Sequence, residues 1–140
     1  MKQYPSRLKF KKYHKVNSSF LKLKEQKRFV PLSGLYGLKA LDCGKLTFKQ
    51  IEAGRRAIRR TTKKLGKLTI NAFTNHSVSK KPVASRMGKG KGAHSYWICI
   101  IRSGQIIYEI GGLEYNLCFK ALLNAGSKMP FKTKIVKLVY

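Results

Sequence analysis

One segment near the middle of the chain, LTFKQIEAGRRAIRRTTKKLG at residues 46–66, most strongly limits the possible folds. Thr47 followed by Gln50 has the spacing of a capping box, which marks the start of a helix. Gly66 stands where a left-handed C-terminal residue is expected, so the helix is predicted over about residues 48–65. At about 100° per residue, one apolar arc contains Ile51, Gly54, Ala57, Ile58, Thr61 and Leu65. This arc has to pack against another layer of the fold.

The opposite arc of this helix, termed the basic face, is almost entirely cationic. It consists of Lys49, Arg55, Arg56, Arg59, Arg60, Lys63 and Lys64. Glu52 is the single acid there, and it has one i,i+4 partner in Arg56. A face that only meets solvent ordinarily mixes both signs of charge, so the pattern favours contact with phosphates over the alternative of a solvated surface.

The whole chain shares this imbalance, because 31 Lys and Arg residues face only 5 acids and leave a formal charge of +26. Such an excess requires a polyanion. Nucleic acid is favoured over an anionic membrane or an acidic protein, since counterion release from phosphates rewards many separate cations. No stretch approaches the roughly 20 apolar residues of a spanning helix, so no membrane insertion is expected. The basic N-terminus lacks the apolar region of a secretory signal.

The length of 140 residues and an apolar content of 43% suit one domain with a core. We expect a single α+β domain at residues 31–140, preceded by a basic N-terminal arm at residues 1–30. Aromatic side chains are scattered among the cations of the arm, and they favour an arm that orders on RNA over a solvated tail. They are Tyr4, Phe10, Tyr13 and Phe20.

Strands and a second helix are predicted around the basic helix. Strands are expected at residues 32–41, 67–74 and 132–140, and a β-hairpin at residues 95–112 around Ser103 and Gly104. The second helix is expected within residues 114–128, with a buried side formed by Leu117, Ala121, Leu122 and Ala125. Residues 74–94 show no periodicity. The prediction is an α+β fold with a mixed, mainly antiparallel sheet, two helices packed on one face, and a long Gly/Lys loop at residues 80–92.

The Gly/Lys loop lies next to strand-like sequence in RMGKGKGAHSYW, residues 86–97. Glycine at every second position lets the backbone approach a phosphate closely, while Lys89 and Lys91 neutralise charge and Arg86 offers a planar fork. The spacing does not fit a Walker loop, and a strand follows where a nucleotide site needs a helix. The alternative is a flexible linker, but Trp97 and the apolar residues after it tie one end to the core.

No catalytic or metal site is predicted. Cys43, Cys99 and Cys118 form no C-x-x-C pair, which argues against a disulfide framework and a zinc site and favours a reducing compartment. His94 could approach Cys99, but this cysteine lies in an apolar run and is expected in the core. The three histidines lie in different segments, and five acids leave little for paired-carboxylate chemistry. We therefore expect no enzyme activity and no cofactor.

Three segments together resemble a known family, the large-subunit ribosomal protein numbered sixteen in the bacterial series. RMGKGKGAHSYW, GKLTFKQIEAGRRAIRR and KMPFKTKIV are similar to its loop, helix and C-terminal segments, and the resemblance runs from about residue 35 to residue 136. A further family motif fits KKLGKL but meets Thr69 where Trp is usual and Asn71 where a basic residue is usual.

The resemblance implies a structural constituent of the large ribosomal subunit that binds large-subunit rRNA beside neighbouring ribosomal proteins. It also implies a role in shaping the A-site tRNA and peptidyl-transferase region. The Gly/Lys loop would reach toward the tRNA acceptor arm, through Lys80, Lys81, Arg86, Met87, Gly88, Lys89, Gly90, Lys91 and Gly92. The N-terminal arm would lie on rRNA through Lys9, Lys11, Lys12, His14 and Lys15, together with the basic face.

The excess of Lys over Arg, the three cysteines and the drift from the bacterial pattern suggest a mitochondrial version, encoded in the organelle and part of the matrix ribosome. A plastid or the bacterial cytoplasm is the alternative location. The alternative function is a free protein that binds nucleic acid non-specifically, although the repetitive Lys/Ala/Pro tail of such proteins is absent from the sequence. A third hypothesis is an enzyme that holds a nucleotide in the Gly/Lys loop.

Overall fold

A computed structural model describes residues 4–6, 8–16, 31 and 34–137. In these ranges the chain forms seven strands and two helices, which confirms the α+β class. In chain order they are β1 (Tyr36–Ala40), β2 (Gly44–Thr47), α1 (Phe48–Thr61), β3 (Lys67–Ile70), β4 (His76–Lys80), β5 (Ala93–Ile101), β6 (Ile106–Gly111), α2 (Tyr115–Gly126) and β7 (Thr133–Lys137). Most of the second half of the N-terminal arm, including Phe20, lies outside the described residues.

The strands form two sheets rather than one. A four-stranded sheet has the order β3-β6-β1-β7, and a three-stranded sheet has the order β2-β5-β4. Every strand pair in the described ranges is antiparallel. The mainly antiparallel character is therefore confirmed, while the division into two sheets follows from the way the chain passes from β5 to β6.

The predicted hairpin at residues 95–112 is wrong, because β5 and β6 belong to different sheets. The turn between them hydrogen-bonds to the end of β1: Gly104 N donates to Ala40 O at 2.8 Å, and Ala40 N donates to Gln105 O at 2.9 Å. Gly104 has a φ of 91°, which a turn of this kind requires. The turn signal was correct, but it marks a crossing between sheets and not a pairing of its two flanking strands.

Two short strands were not predicted. β2 occupies residues expected as a turn and helix start, and β4 lies in the stretch that shows no periodicity. β4 pairs with β5, with a register shift between Val78 and Ser79. The Gly/Lys loop therefore connects two hydrogen-bonded strands and is held at both ends, where the sequence indicated an anchor at one end only.

Helix α1 begins as predicted and ends earlier. Thr47 N donates to Gln50 Oε1 at 2.9 Å and Gln50 N donates to Thr47 Oγ1 at 3.4 Å, which completes the capping box. Lys63 and Lys64 have φ values of 49° and 67°, so the backbone leaves the helical region before residue 65. Leu65 is consequently 60% exposed, and its assignment to the core face is corrected.

The core is formed by residues of both helices and both sheets, including Leu46 of β2 and Ile101 of β5. Ile51 and Ile58 of α1 are buried, and Tyr108 of β6 donates from its hydroxyl to Ile51 O at 2.7 Å. On α2 the buried residues are Cys118, Ala121, Leu122 and Ala125, so three of the four predicted positions are buried. Leu117 is only partly buried because Cys118 occupies the position facing the core.

Gly54 sits where α1 crosses Tyr108, and a Cβ atom there would lie 2.5 Å from the Tyr108 hydroxyl oxygen. We expect Gly54→Ala to lower the free energy of unfolding by about 1–2 kcal/mol through overpacking. This would occur although alanine is the better helix former by about 1 kcal/mol. In a Tyr108→Phe background, which lacks the hydroxyl, the cost should be smaller. Urea denaturation of the natural chain, the two single variants and the double variant measures these costs. A Gly54→Ala protein more stable than the natural chain would contradict this packing.

Candidate nucleic-acid interface

The cations on the basic face of α1 differ in how exposed their side chains are. Arg56 keeps 73% of its side chain exposed, and the exposed members are Lys49, Arg56, Arg60, Lys63 and Lys64. Arg55 and Arg59 are half-buried. The sequence placed all seven on one surface, but their contacts show two different roles.

Glu52 binds two arginines at once. Its carboxylate accepts from Arg55 Nε at 2.8 Å and Arg55 Nη2 at 2.6 Å, and from Arg56 Nε at 3.2 Å. The sequence indicated only the Arg56 contact. Chiefly because of the Arg55 hydrogen bonds, the pKa of Glu52 is lowered to about 2. The charge of Arg55 is thus neutralised within the protein.

Arg59 stabilises the end of α1. Its Nη1 donates to Lys64 O at 2.9 Å and to Gly66 O at 3.2 Å, two carbonyl groups in the turn that leads into β3. A cation at this end of a helix also opposes the negative end of the helix dipole. Among the members of the basic face, Arg59 therefore acts mainly in folding.

The Gly/Lys loop presents its backbone to solvent. Gly88, Lys89 and Gly90 have φ values of 93°, 52° and 86°, and nothing lies within 4 Å of a Cβ added at either glycine. Lys81 Nζ donates to Gly88 O at 2.6 Å and bends the loop back on itself. Gly92 is needed for a different reason, because a Cβ there would lie 2.5 Å from Lys80 O. This close approach fixes the base of the loop against β4.

The N-terminal arm contacts the Gly/Lys loop. Lys12 Nζ donates to Lys91 O at 3.2 Å, and Lys91 Nζ donates to Tyr13 O. The Tyr13 ring lies 5.3 Å from the His76 ring on β4, and burial lowers the pKa of His76. The predicted cations of the arm, from Lys9 to Lys15, are all exposed beside these contacts. No local sequence signal could predict this contact, because its partners are 78 or more residues apart.

The side chains considered for chemistry have structural partners. His94 Nδ1 lies 2.7 Å from Ser77 Oγ, and the His94 ring lies 4.6 Å from the Trp97 ring. Cys99 is buried, and burial raises the pKa of its thiol. Among the residues that the structure describes, no three His, Cys, Asp or Glu side chains are grouped to hold a metal ion. Over the same residues, no helix has the length and apolar content to cross a bilayer.

One acid of the described chain is buried beside an amide. Glu109 on β6 is only 2% exposed, and its Oε1 accepts a hydrogen bond from Asn71 Nδ2. The amide of Asn71 supplies this donor without a charge. Sequence reasoning missed Glu109 because nothing in its local pattern distinguishes a buried acid from a turn residue.

Comparison with known proteins gives a consistent result. The model of the family described as ribosomal protein L16p/L10e matches residues 5–136. The large ribosomal subunit protein uL16 of Psychrobacter arcticus is 44% identical over 133 residues, which cover 95% of each chain. The protein of the same name from Buchnera aphidicola subsp. Cinara cedri is 43% identical over 136 residues, covering 96% of this chain and 97% of the relative. The protein of the same name from Blochmanniella pennsylvanica is 42% identical over 132 residues, covering 94% of this chain and 96% of the relative.

Glu52 gives a prediction about acid stability. Its pKa falls from 4.5 to about 2 on folding, so its contribution is present above about pH 4.5 and is lost as the pH falls toward 2. We expect Glu52→Gln to lower the free energy of unfolding at neutral pH by about 1 kcal/mol, since solvent screens a partly exposed pair. At about pH 2 the difference should be much smaller, because Glu52 is then about half protonated in the folded protein and almost fully protonated in the unfolded chain.

Urea denaturation at both pH values measures this difference. The matched control is Glu114→Gln, because Glu114 is exposed and its side chain makes no capping hydrogen bond to α2. A gap between Glu52→Gln and the natural chain that stays the same at both pH values would show that the ion pairs do not stabilise the fold.

Proposed function

The chain belongs to the ribosomal protein L16p/L10e family, and from this premise we propose how its cationic surfaces act in the large ribosomal subunit. The family match over residues 5–136 and the relatives at 42–44% identity make it a structural constituent of that subunit. The proposal concerns what the basic face, the N-terminal arm and the Gly/Lys loop each bind. The observation that carries it is the contact between arm and loop through Lys12 and Lys91.

We assign large-subunit rRNA to the basic face and the N-terminal arm. On the basic face, Lys49, Arg56 and Arg60 are exposed and accessible to phosphates, although Arg56 also contacts Glu52, whereas Arg55 and Arg59 support the helix. The arm adds exposed cations along an extended segment, which suits a backbone that follows an RNA strand. Both surfaces position the protein through phosphate contacts rather than through recognition of bases.

The A-site tRNA acceptor arm is the partner that we assign to the Gly/Lys loop, close to the peptidyl-transferase region. Three properties support this: an exposed backbone with left-handed turns, alternating lysines, and two strands that hold the base of the loop. The contacts of Lys91 with the arm add a further element. RNA that binds the arm would also fix the direction in which the loop extends.

The two other functions considered have less support. A nucleotide site would need a helix after the loop, so that its N-terminus faces the phosphates, and β5 follows instead. A free, non-specific binder would need no defined contact between arm and loop. Membership in a family of ribosomal structural proteins also argues against both functions.

The named relatives are bacterial and indicate a ribosome of bacterial type. They support the bacterial cytoplasm as one location of such a ribosome, and they do not support the mitochondrion specifically. The mitochondrial ribosome therefore stays a prediction from the sequence, and fractionation of organelles from cells that express the tagged chain tests it.

A sucrose gradient tests the proposal as a whole. We expect the tagged full chain to co-sediment with large subunits at moderate salt and to move to the top of the gradient after ribonuclease treatment. Lys89→Ala should co-sediment equally well, but subunits that carry it should bind tRNA more weakly in the A site, because Lys89 lies at the exposed tip of the loop. Recovery of the natural chain only in free or membrane fractions would refute the proposal, and loss of assembly by Lys89→Ala would refute the separate role of the loop.

Salt dependence tests the assignment of the basic face. Replacing Lys49, Arg56 and Arg60 by alanine should reduce the slope of log affinity for large-subunit rRNA against log salt by roughly 0.7–0.9 for each phosphate that is no longer neutralised. Filter binding over a series of KCl concentrations measures the slope. The matched control replaces Lys120, Lys134 and Lys137, which are equally exposed but lie outside the three surfaces. Equal slopes for the two triple variants would show that charge acts without regard to position.

A further inference from the structure

An open groove of about 890 Å³ lies between the N-terminal arm and the body of the domain. The arm contributes Tyr4 and Leu8, the start of α1 contributes Phe48, and β5 contributes Tyr96 and Trp97. Pockets that hold a compact organic ligand measure about 300–1,000 Å³, so the groove has room for a nucleotide. Neither the basic face nor the Gly/Lys loop accounts for it.

Aromatic residues of the arm and of β5 line the groove and remain accessible. Tyr4 is 56% exposed and Tyr96 is 47% exposed, and Trp97 is partly buried beside them. The ring of Trp97 is held by His94 at 4.6 Å, and His94 is in turn fixed by Ser77. A platform whose ring orientation is already set loses little conformational freedom when a flat ligand stacks on it.

The charges at the groove indicate the class of ligand. Lys11 of the arm and Lys49 of the basic face both line it, and among the described residues no acid does. An apolar protein segment would leave these two cations without a counter-charge, whereas a nucleotide offers both an aromatic face and a phosphate. Base stacking on aromatic side chains tolerates any base, because every base has a π-face.

We infer that this groove binds one unpaired nucleotide of single-stranded RNA, with its base against Tyr4 and Trp97 and its phosphate near Lys11 and Lys49. The inference rests on the proposed function in that RNA is the partner. It goes further in that the arm region binds RNA through a base as well as through phosphates. An rRNA segment with an extruded base would thereby be fixed in register on the domain.

Trp97 provides the test, because it is the only tryptophan of the chain. The purified full chain is titrated with a short single-stranded RNA oligonucleotide, and its tryptophan emission is recorded. The control is an abasic oligonucleotide of equal length, which has the same phosphates and no bases. We expect the RNA oligonucleotide to cause a saturable loss of tryptophan emission. The abasic oligonucleotide should bind without this loss.

A pair of variants ties the signal to the groove. Tyr4→Ala removes one ring from the groove, and Tyr4 lies on the exposed arm, so folding is not at risk. We expect Tyr4→Ala to weaken the affinity for the RNA oligonucleotide about tenfold and to leave the affinity for the abasic oligonucleotide unchanged. Tyr115→Ala removes a similarly exposed tyrosine from α2, outside the groove, and should change neither affinity.

The possible results separate this inference from the proposed function. RNA binding that is salt-dependent but leaves Trp97 emission unchanged would overturn the base site and leave the phosphate contacts intact. Equal effects of Tyr4→Ala and Tyr115→Ala would overturn it as well. Saturable loss of Trp97 emission with an uncharged apolar peptide, and no loss with RNA, would overturn the base site and indicate that the groove binds a protein segment. An absence of any RNA binding in filter assays would overturn both the inference and the proposed function.

Discussion

Repulsion among 31 cations that face only five acids is the constraint on which the arrangement of this molecule depends. The fold answers it with an apolar core formed by both helices and both sheets, and no lysine or arginine in the described part of the chain is buried. Two acids make contacts within the protein. Glu52 binds two arginines of α1, and the buried Glu109 accepts a hydrogen bond from Asn71. Neither offsets the charge of the remaining surface, so an external polyanion has to do so.

The surface charge is organised by tertiary contacts. Pairing of β4 with β5 holds the Gly/Lys loop at both ends, and the contacts of Lys91 bring the N-terminal arm alongside it. The arm also forms one wall of the aromatic groove, whose opposite wall includes Lys49 from the basic face. Regions that are separate in the sequence thus form a continuous surface, on which phosphate contacts and a base contact can act together.

The limits of sequence reasoning can be seen in particular elements. The capping box of α1 was predicted correctly because its hydrogen bonds connect residues three apart. The end of α1 was placed too late because Lys63 and Lys64 adopt left-handed backbone angles that lead into β3. The turn at Gly104 was predicted correctly, but the two strands that it connects do not pair with each other. The turn hydrogen-bonds to the end of β1, and β1 also pairs with β6. For the basic face, the sequence identified every member and the contact of Arg56 with Glu52, but it did not indicate that Arg55 and Arg59 also have partners within the protein.

Residue identity and spacing along the chain were enough to predict the α+β class, the two helices, the excess of positive charge and the family. The division into two sheets, the internal roles of Arg55 and Arg59, the contact between arm and loop, and the aromatic groove became visible in the folded structure alone. The physical reason is that periodicity records how a residue meets its near neighbours. Strand pairing and the contacts between arm, loop and groove depend instead on residues far apart in the chain. Several strands have similar local patterns, so the pattern of one strand does not indicate which other strand it pairs with.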